Sequence, residues 1–253
     1  MLLKTVQWNI SGGKIRDEAS DATSDESYKR DGIEYIIDTL KTLSPNIITL
    51  QETHANRNGV QAQIIAEVLG LPFYINDNYD DSHVEKGQRL GQAIISSFPI
   101  SNHSFELFLN PKYRLERPDG SVWISHDKGV SRCTIDASIP LTIETTHLIP
   151  FRRFGIDVSK KGAEVIRDVS NKLKTDAPHL LIQGDFNMDG DSLADFIPEL
   201  FEDNLQEVHL GKPTTPKGRN YDRVLYKGLQ PIKTIVLDSA MTDHYPVYTE
   251  FEI

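Results

Sequence analysis

An α/β fold is the architecture this chain predicts, and three observations predict it. Short β-rich runs alternate with segments whose apolar residues recur at helical spacing, the pattern of helices packed on sheets. Several apolar runs stop abruptly on Asp, Asn, Glu or His, poor strand residues that α/β proteins deliver to a sheet edge, where ligands bind. The length, 253 residues, suits one large domain spanning 1–253 with a sizeable core.

Taken in order, the N-terminal run reaches Gln7-Trp8-Asn9, and Arg16 to Ser27, rich in Asp, Glu, Ser and Ala, is expected as a mobile acidic loop near the exit of the first strand. Ile33, Ile36, Ile37, Leu40 and Leu43 mark one face of a helix that Ser44-Pro45 stops. Asn46 to Leu50 reads as the next strand. Val60, Ile64, Ile65, Val68 and Leu69 mark a second helix closed by Gly70, and Pro72 to Ile75 follows as strand.

The middle of the chain is β-rich with no clear helix: Ala93–Ser96, Phe105–Phe108, Val122–Ile124, Val130–Ile135 and Leu141–Thr146 imply antiparallel pairing, with Pro118-Asp119-Gly120 as a turn. A third helix is expected on Ala163, Val165, Ile166, Val169 and Leu173, and a fourth on Leu193, Phe196, Ile197, Leu200 and Phe201. Strands return from Tyr221 onward. The Pro/Gly cluster from Gly211 to Gly218 is too short for a domain linker.

Composition narrows the function classes. A net charge of −10 argues against a protein that grips nucleic acid through a broad basic face, but not against a phosphate-bearing substrate held in a metal-binding cleft. Cys133 is the only cysteine, so an intrachain disulfide or a cysteine-rich zinc site is excluded, and a buried structural thiol is expected. The chain lacks a hydrophobic leader and any run of 18 apolar residues, so the expected location is the cytoplasm, with no stable membrane association. There is no His-Glu-x-x-His pair and no Gly-x-Ser-x-Gly elbow, which disfavours a zinc peptidase and a serine hydrolase.

The polar residues at strand boundaries are Asn9, Glu52, His147, Asp185, Asn187, Asp222, Asp243 and His244, spread over the whole chain. Asp185 and Asn187 flank Phe186, so in extended geometry both polar groups face one side and the ring faces the other. The ordered set Gln7-Trp8-Asn9, Leu50-Gln51-Glu52, Gly91-Gln92-Ala93-Ile94-Ile95-Ser96, Thr146-His147-Leu148, Gly184-Asp185-Phe186-Asn187, Tyr221-Asp222-Arg223-Val224 and Thr242-Asp243-His244-Tyr245-Pro246 resembles the endonuclease/exonuclease/phosphatase superfamily of deoxyribonuclease I-like hydrolases. Thr242 stands where that family usually has Ser and keeps the hydroxyl.

The resemblance implies a four-layer α/β/β/α sandwich with the site at one edge of two central sheets. It also implies hydrolysis of a phosphate ester, for which carboxylates, amides and imidazoles are suitable groups. Glu52 is then the expected direct ligand of Mg²⁺ (or of Mn²⁺ in its place), Asn9 assists at the same ion, and Asp243 holds a second ion or supports the first. Asp185 would orient or deprotonate the attacking water, and Asn187 would hold that water or a phosphate oxygen. His244 matches the family's essential histidine, Asp222 the carboxylate that fixes its tautomer, and His147 a second imidazole facing the phosphate or leaving group.

The core of such a family does not name the substrate, so the variable loops must. Arg152 and Arg153, which follow His147 closely, are the substrate-binding candidates, and Trp123 is expected as a packing residue. A nucleic-acid phosphodiester ranks first and a small-molecule or lipid-headgroup phosphate second. No protein partner can be inferred. A non-catalytic scaffold is the rival from another class, but none of the acid-base or ligand positions is lost. His54, His83, His103, His126, His179 and His209 lie outside the motifs and are expected to take no part.

Overall fold

The computed structural model describes residues 1–253. Its principal strands are β1 (Leu2–Asn9), β2 (Ile47–Asn56), β3 (Phe73–Asp81), β4 (Arg89–Ser96), β5 (Ile100–Leu107), β6 (Gly129–Asp136), β7 (Pro140–His147), β8 (Leu180–Asp185), β9 (Asp222–Lys227), β10 (Gln230–Val236) and β11 (Val247–Glu252). They form two mixed sheets. In the first the order is β10-β11-β1-β2-β4-β3, and in the second it is β9-β8-β7-β6-β5, with Gln206–Glu207 added beyond β9. The pairs β1–β2 and β7–β8 are parallel, and the others along both sheets are antiparallel.

Three helices complete the layers: α1 (Ile33–Leu43), α2 (Gln61–Leu69) and α3 (Ala163–Leu173). One face of α1 and α2, carrying Ile36, Leu40, Ala62 and Ile65, packs on Val6, Trp8, Ile48, Leu50 and Ile95 of the first sheet. Val165, Val169 and Leu173 of α3 pack on Leu180, Ile182 and Leu225 of the second. Between the sheets lie Leu3, Ile47 and Ile94 from one side and Cys133, Ile135, Leu141, Ile143 and Leu181 from the other. This is the four-layer sandwich. Burial raises the Cys133 thiol to about 12, which makes it the inert core group the sequence predicts. No helix is long and apolar enough to cross a membrane.

Toward the edge that ends in Asn9 and Asp185 the inter-sheet layer turns from apolar to amide. Gln7 Nε2 donates to Gln51 Oε1 at 2.7 Å, Gln51 Nε2 to Thr145 Oγ1 at 2.9 Å, and Gln183 Nε2 to Thr5 Oγ1 at 3.0 Å. These side chains are fully buried, and an unpaired buried amide costs about 1–3 kcal/mol, so the network fixes how the sheets face each other beneath the polar edge.

One expectation is corrected. The apolar set from Leu193 to Phe201 forms no fourth helix but two 3₁₀ turns, Leu193–Asp195 and Pro198–Phe201. Pro198 lacks the N–H that a continuing helix needs, and its ring clashes with the preceding turn. Leu193, Ile197 and Leu200 are still buried in the outer core. In the acidic stretch Arg16–Ser27, which is mostly exposed, Arg16 N donates to Met241 O at 2.9 Å, Ser27 Oγ to Asp21 O at 2.7 Å, and the neighbouring Tyr28 Oη to Ala22 O at 2.6 Å.

Gly184 sets the spacing of the parallel pair that carries His147 and Asp185. A Cβ at this position would lie 2.1 Å from Thr146 O, a backbone atom of the neighbouring strand that has no freedom to retreat. Gly184→Ala is therefore expected to destabilise the protein by about 1–3 kcal/mol, read as a lower urea midpoint at unchanged slope. An unchanged midpoint would show that β7 and β8 separate without strain.

Candidate active site

The strand registers bring the distant motifs to one edge. Asn9 pairs with Gln51, His147 with Asp185, and Asp185 with Asp222, so β1, β7 and β8 end where β9 begins, and β2 passes through the same edge with Glu52 at its register shift. Gln7 pairs with Val247, which puts the segment before β11, with Asp243 and His244, at the same edge. Asn9, Glu52, His147, Asp185, Asn187, Asp243 and His244 all line a single cavity of about 940 Å³, as do Arg152 and Arg153. Asp222 does not line it. This carboxylate is fully buried behind His244.

His244 Nδ1 lies 2.8 Å from Asp222 Oδ2, while Asp222 Oδ1 accepts from Gln7 Nε2 at 2.9 Å. The second imidazole nitrogen, Nε2, lies 3.7 Å from Asp185 Oδ2. Burial opposes a charge on this ring, but Asp222 and Asp185 outweigh it and hold the His244 pKa well above the usual imidazole range. Trp8 Nε1 donates to Thr242 Oγ1 at 3.1 Å and to His244 O at 3.0 Å, and Thr242 Oγ1 donates to His244 O at 2.6 Å. The hydroxyl retained at position 242 thus holds the backbone that carries the histidine.

Asp185 ends β8 with both oxygens engaged: Oδ1 accepts from Asn187 N at 2.9 Å and Oδ2 from Asn9 Nδ2 at 3.0 Å. Burial pushes its carboxyl up to about 7 against the pull of His244, with Asp222 adding to the rise. Asp185 and Asn187 do reach the same cavity, and Phe186 is buried in the outer core as its alternation predicts. The route differs from the expected extended strand, because Asn187 is left-handed (φ 52) and its amide donates to Leu148 O at 3.0 Å. An Asx turn, not strand alternation, places the pair.

Glu52 sits at a register shift in β2 with φ 55, a conformation that costs a non-glycine residue about 1–2 kcal/mol. Its carboxylate is nearly buried, lying 4.0 Å from Lys128 Nζ and 3.8 Å from His147 Nε2. Burial alone would raise its pKa, but the positive groups around it, Lys128 and His244 among them, hold it below the usual carboxylate range. Asp243 accepts from Ser11 Oγ at 3.3 Å through Oδ2, while its Oδ1 is buried with no partner. Glu52, the orphaned Asp243 oxygen and the Asn9 amide oxygen line the same cavity and are hard oxygen donors, the chemistry that Mg²⁺ or Mn²⁺ takes. Asp185, Asp222 and His244 also converge, with one ligand atom from each inside 4.8 Å. Since Asp222 and His244 already share a hydrogen bond, that trio fits proton handling better than metal binding.

Sequence reasoning missed the groups around His147. Lys128 Nζ lies 3.0 Å from His147 Nδ1, with Tyr79 Oη at 3.1 Å from the same nitrogen. Burial first, then Lys128, keep the His147 pKa well below the usual range, so this imidazole is neutral while His244 is cationic. Burial also brings the Lys128 ammonium down to about 8, against the opposing effect of Glu52 and Asp185. Lys128 closes no apolar run and belongs to none of the matched motifs, so only the fold reveals it. His83 and His126, expected to take no part, stack at 4.9 Å on the cavity wall.

The cavity mouth is basic and aromatic. Arg152 pairs with Asp189 at 3.4 Å, Arg219 with Asp189 at 2.6 Å, and Arg153 with Asp25 at 3.2 Å. Trp123 is not simply a packing residue. It sits in the short hairpin Arg114–Glu116/Val122–Ile124 and lines the mouth.

A sequence profile described as the Endonuclease/Exonuclease/phosphatase family matches residues 6–244. No curated protein matches by sequence. Among solved structures, an endonuclease/exonuclease/phosphatase from Beutenbergia cavernae is similar with a TM-score of 0.75 at 17% identity, over 100% of this chain and 72% of that one. The human Nocturnin catalytic domain with bound sulfate has a TM-score of 0.68 at 16% identity, over 99% of this chain and 93% of that one. A mannosyl-6-phosphatase from Bacteroides thetaiotaomicron has a TM-score of 0.63 at 15% identity, over 99% of this chain and all of its own. At these identities the likeness concerns the fold.

Proposed function

The chain belongs to the endonuclease/exonuclease/phosphatase family, and from that premise we propose that it is a divalent-metal-dependent phosphoesterase that hydrolyses a phosphodiester by in-line attack of water. The observation that carries this reading is the convergence of Glu52, Asp243, Asp185, His147 and His244 on one cavity, with His244 hydrogen-bonded to the buried Asp222 carboxylate. Glu52, Asn9 and Asp243 would hold the ion, which when bound neutralises charge on the phosphoryl oxygens.

The remaining work falls to side chains. Asp185, with its carboxyl raised toward neutrality, is suited to take a proton from water, and the Asn187 carbonyl oxygen is free to orient that water. Imidazolium His244, fixed by Asp222, stabilises negative charge on the phosphoryl group. Neutral His147, whose Nδ1 faces Tyr79 and whose two ring nitrogens both lie within 3.2 Å of Lys128 Nζ, turns Nε2 toward Asp185 and Glu52, where with Lys128 it can donate to a phosphoryl or leaving oxygen.

A phosphodiester in a nucleotide or at a nucleic-acid end is the leading substrate, supported by Arg152 and Arg153 at the mouth. A small phosphomonoester is the second reading. The bounded cavity and the net charge of −10 favour a compact substrate over a long duplex, and one similar structure is a sugar phosphatase. Hydrolysis of bis-p-nitrophenyl phosphate should vanish in EDTA and return with Mg²⁺ or Mn²⁺. A panel of dinucleotides, RNA, inositol phosphate and sugar phosphates then ranks substrates by kcat/KM. Absence of metal-restored hydrolysis on every member would reject the reading.

A further inference from the structure

The mouth of the cavity holds a carboxylate in a cage of cations from other parts of the chain. Asp25, in the loop before α1, lies 3.2 Å from Arg153 Nη2 and 2.5 Å from Lys217 Nζ, and all three residues line the cavity. Arg153 follows β7 and Lys217 precedes β9, so neither is a sequence neighbour of Asp25 or of the other. The Arg153 guanidinium is also held from a second side, its carbon 4.8 Å from the centre of the Trp123 ring, while Arg117 lies 4.6 Å from that ring. Exposed ion pairs contribute little to stability, generally about 0–1 kcal/mol, so stability gives no account of why two cations from separate loops meet one anion inside the substrate cavity.

We propose that Arg153 and Lys217, with Trp123 as a positioning residue for Arg153, form a second anion subsite that takes a phosphate group of the substrate other than the one cleaved, and that Asp25 occupies this subsite until substrate displaces it. The guanidinium is planar and presents donors in a fork, while the ammonium is a compact point charge, a combination that matches a terminal phosphate dianion better than a lone carboxylate. The substrate class is then a phosphate ester carrying a further phosphate, such as a nucleoside bisphosphate or a 5′-phosphorylated dinucleotide. This rests on the phosphoesterase reading and narrows it.

Equilibrium binding in EDTA by titration calorimetry tests the subsite apart from catalysis. Adenosine 3′,5′-bisphosphate is expected to bind wild type about tenfold or more tightly than adenosine 5′-monophosphate. Arg153→Ala and Lys217→Ala should each erase most of that ratio, Trp123→Ala should reduce it, and Trp123→Phe should restore it. Asp25→Asn should increase it, because the competing carboxylate is gone. Equal binding of the two nucleotides by wild type, or variants that weaken both alike, would overturn the subsite. In a parallel assay, absence of metal-restored hydrolysis by wild type on every member of the panel, with the binding ratio intact, would reject the phosphoesterase reading and leave Arg153 and Lys217 as an anion-binding site of another function.

Discussion

Replacing His244 with alanine is expected to lower kcat/KM on bis-p-nitrophenyl phosphate by roughly a thousandfold, mostly in kcat, at saturating metal. The cation on His244 is the counter-charge of two buried carboxylates, Asp222 at 2.8 Å and Asp185 at 3.7 Å. Its removal strips the phosphoryl group of a fixed positive charge and frees Asp185 of the group that lowers its pKa, so Asp185 becomes still harder to ionise. The same change has a stability signature. The folded pKa of His244 lies above its unfolded value of about 6.5, so its contribution is complete below that pH and fades as pH rises through the folded pKa. Wild type and His244→Ala should therefore differ most in melting temperature near pH 6 and converge at high pH. A variant that keeps more than about a tenth of wild-type kcat/KM would remove His244 from the chemistry.

The convergence of the motifs on one cavity was legible because Asn9, His147 and Asp185 each close an apolar run, and the strand register converts those closures into a common edge. Glu52 reaches the same cavity differently, since β2 does not end there but runs on to Asn56 and a register shift turns the side chain. The pattern of closures could not show Lys128, because this residue precedes a strand instead of ending one and reaches the site through its long side chain beside Tyr79. Nor could it show that Asn187 is placed by a left-handed turn, since alternation and an Asx turn both bring residues two apart to one side. Helical spacing found α1, α2 and α3 but overreached at Leu193–Phe201, where the apolar periodicity is intact and one proline decides the backbone. The mouth was least legible. Asp25 and Lys217 come from two loops and Trp123 from a short hairpin, and their meeting depends on how these distant segments pack together.

Glu52→Gln is the corresponding test of metal binding. The substitution keeps size and backbone conformation, so the left-handed φ of 55 and the register shift in β2 are retained while one negative charge is lost. Of the three carboxylates Glu52, Asp185 and Asp243, Glu52 is the one whose pKa its neighbours lower, whereas Asp185 and Asp243 are both raised, so it is the strongest anionic ligand of the three near neutral pH. An amide is a weaker ligand for a hard divalent cation. The Mg²⁺ concentration giving half-maximal activity should therefore rise by about tenfold or more, and kcat/KM at fixed Mg²⁺ should fall by roughly a hundredfold. High Mg²⁺ or Mn²⁺ should recover part of the loss in this variant and none of it in His244→Ala, whose defect does not lie in the ion. If the Mg²⁺ midpoint of Glu52→Gln equals that of wild type, the ion is held elsewhere, and the convergence of Asp185, Asp222 and His244 within 4.8 Å becomes the site to test next.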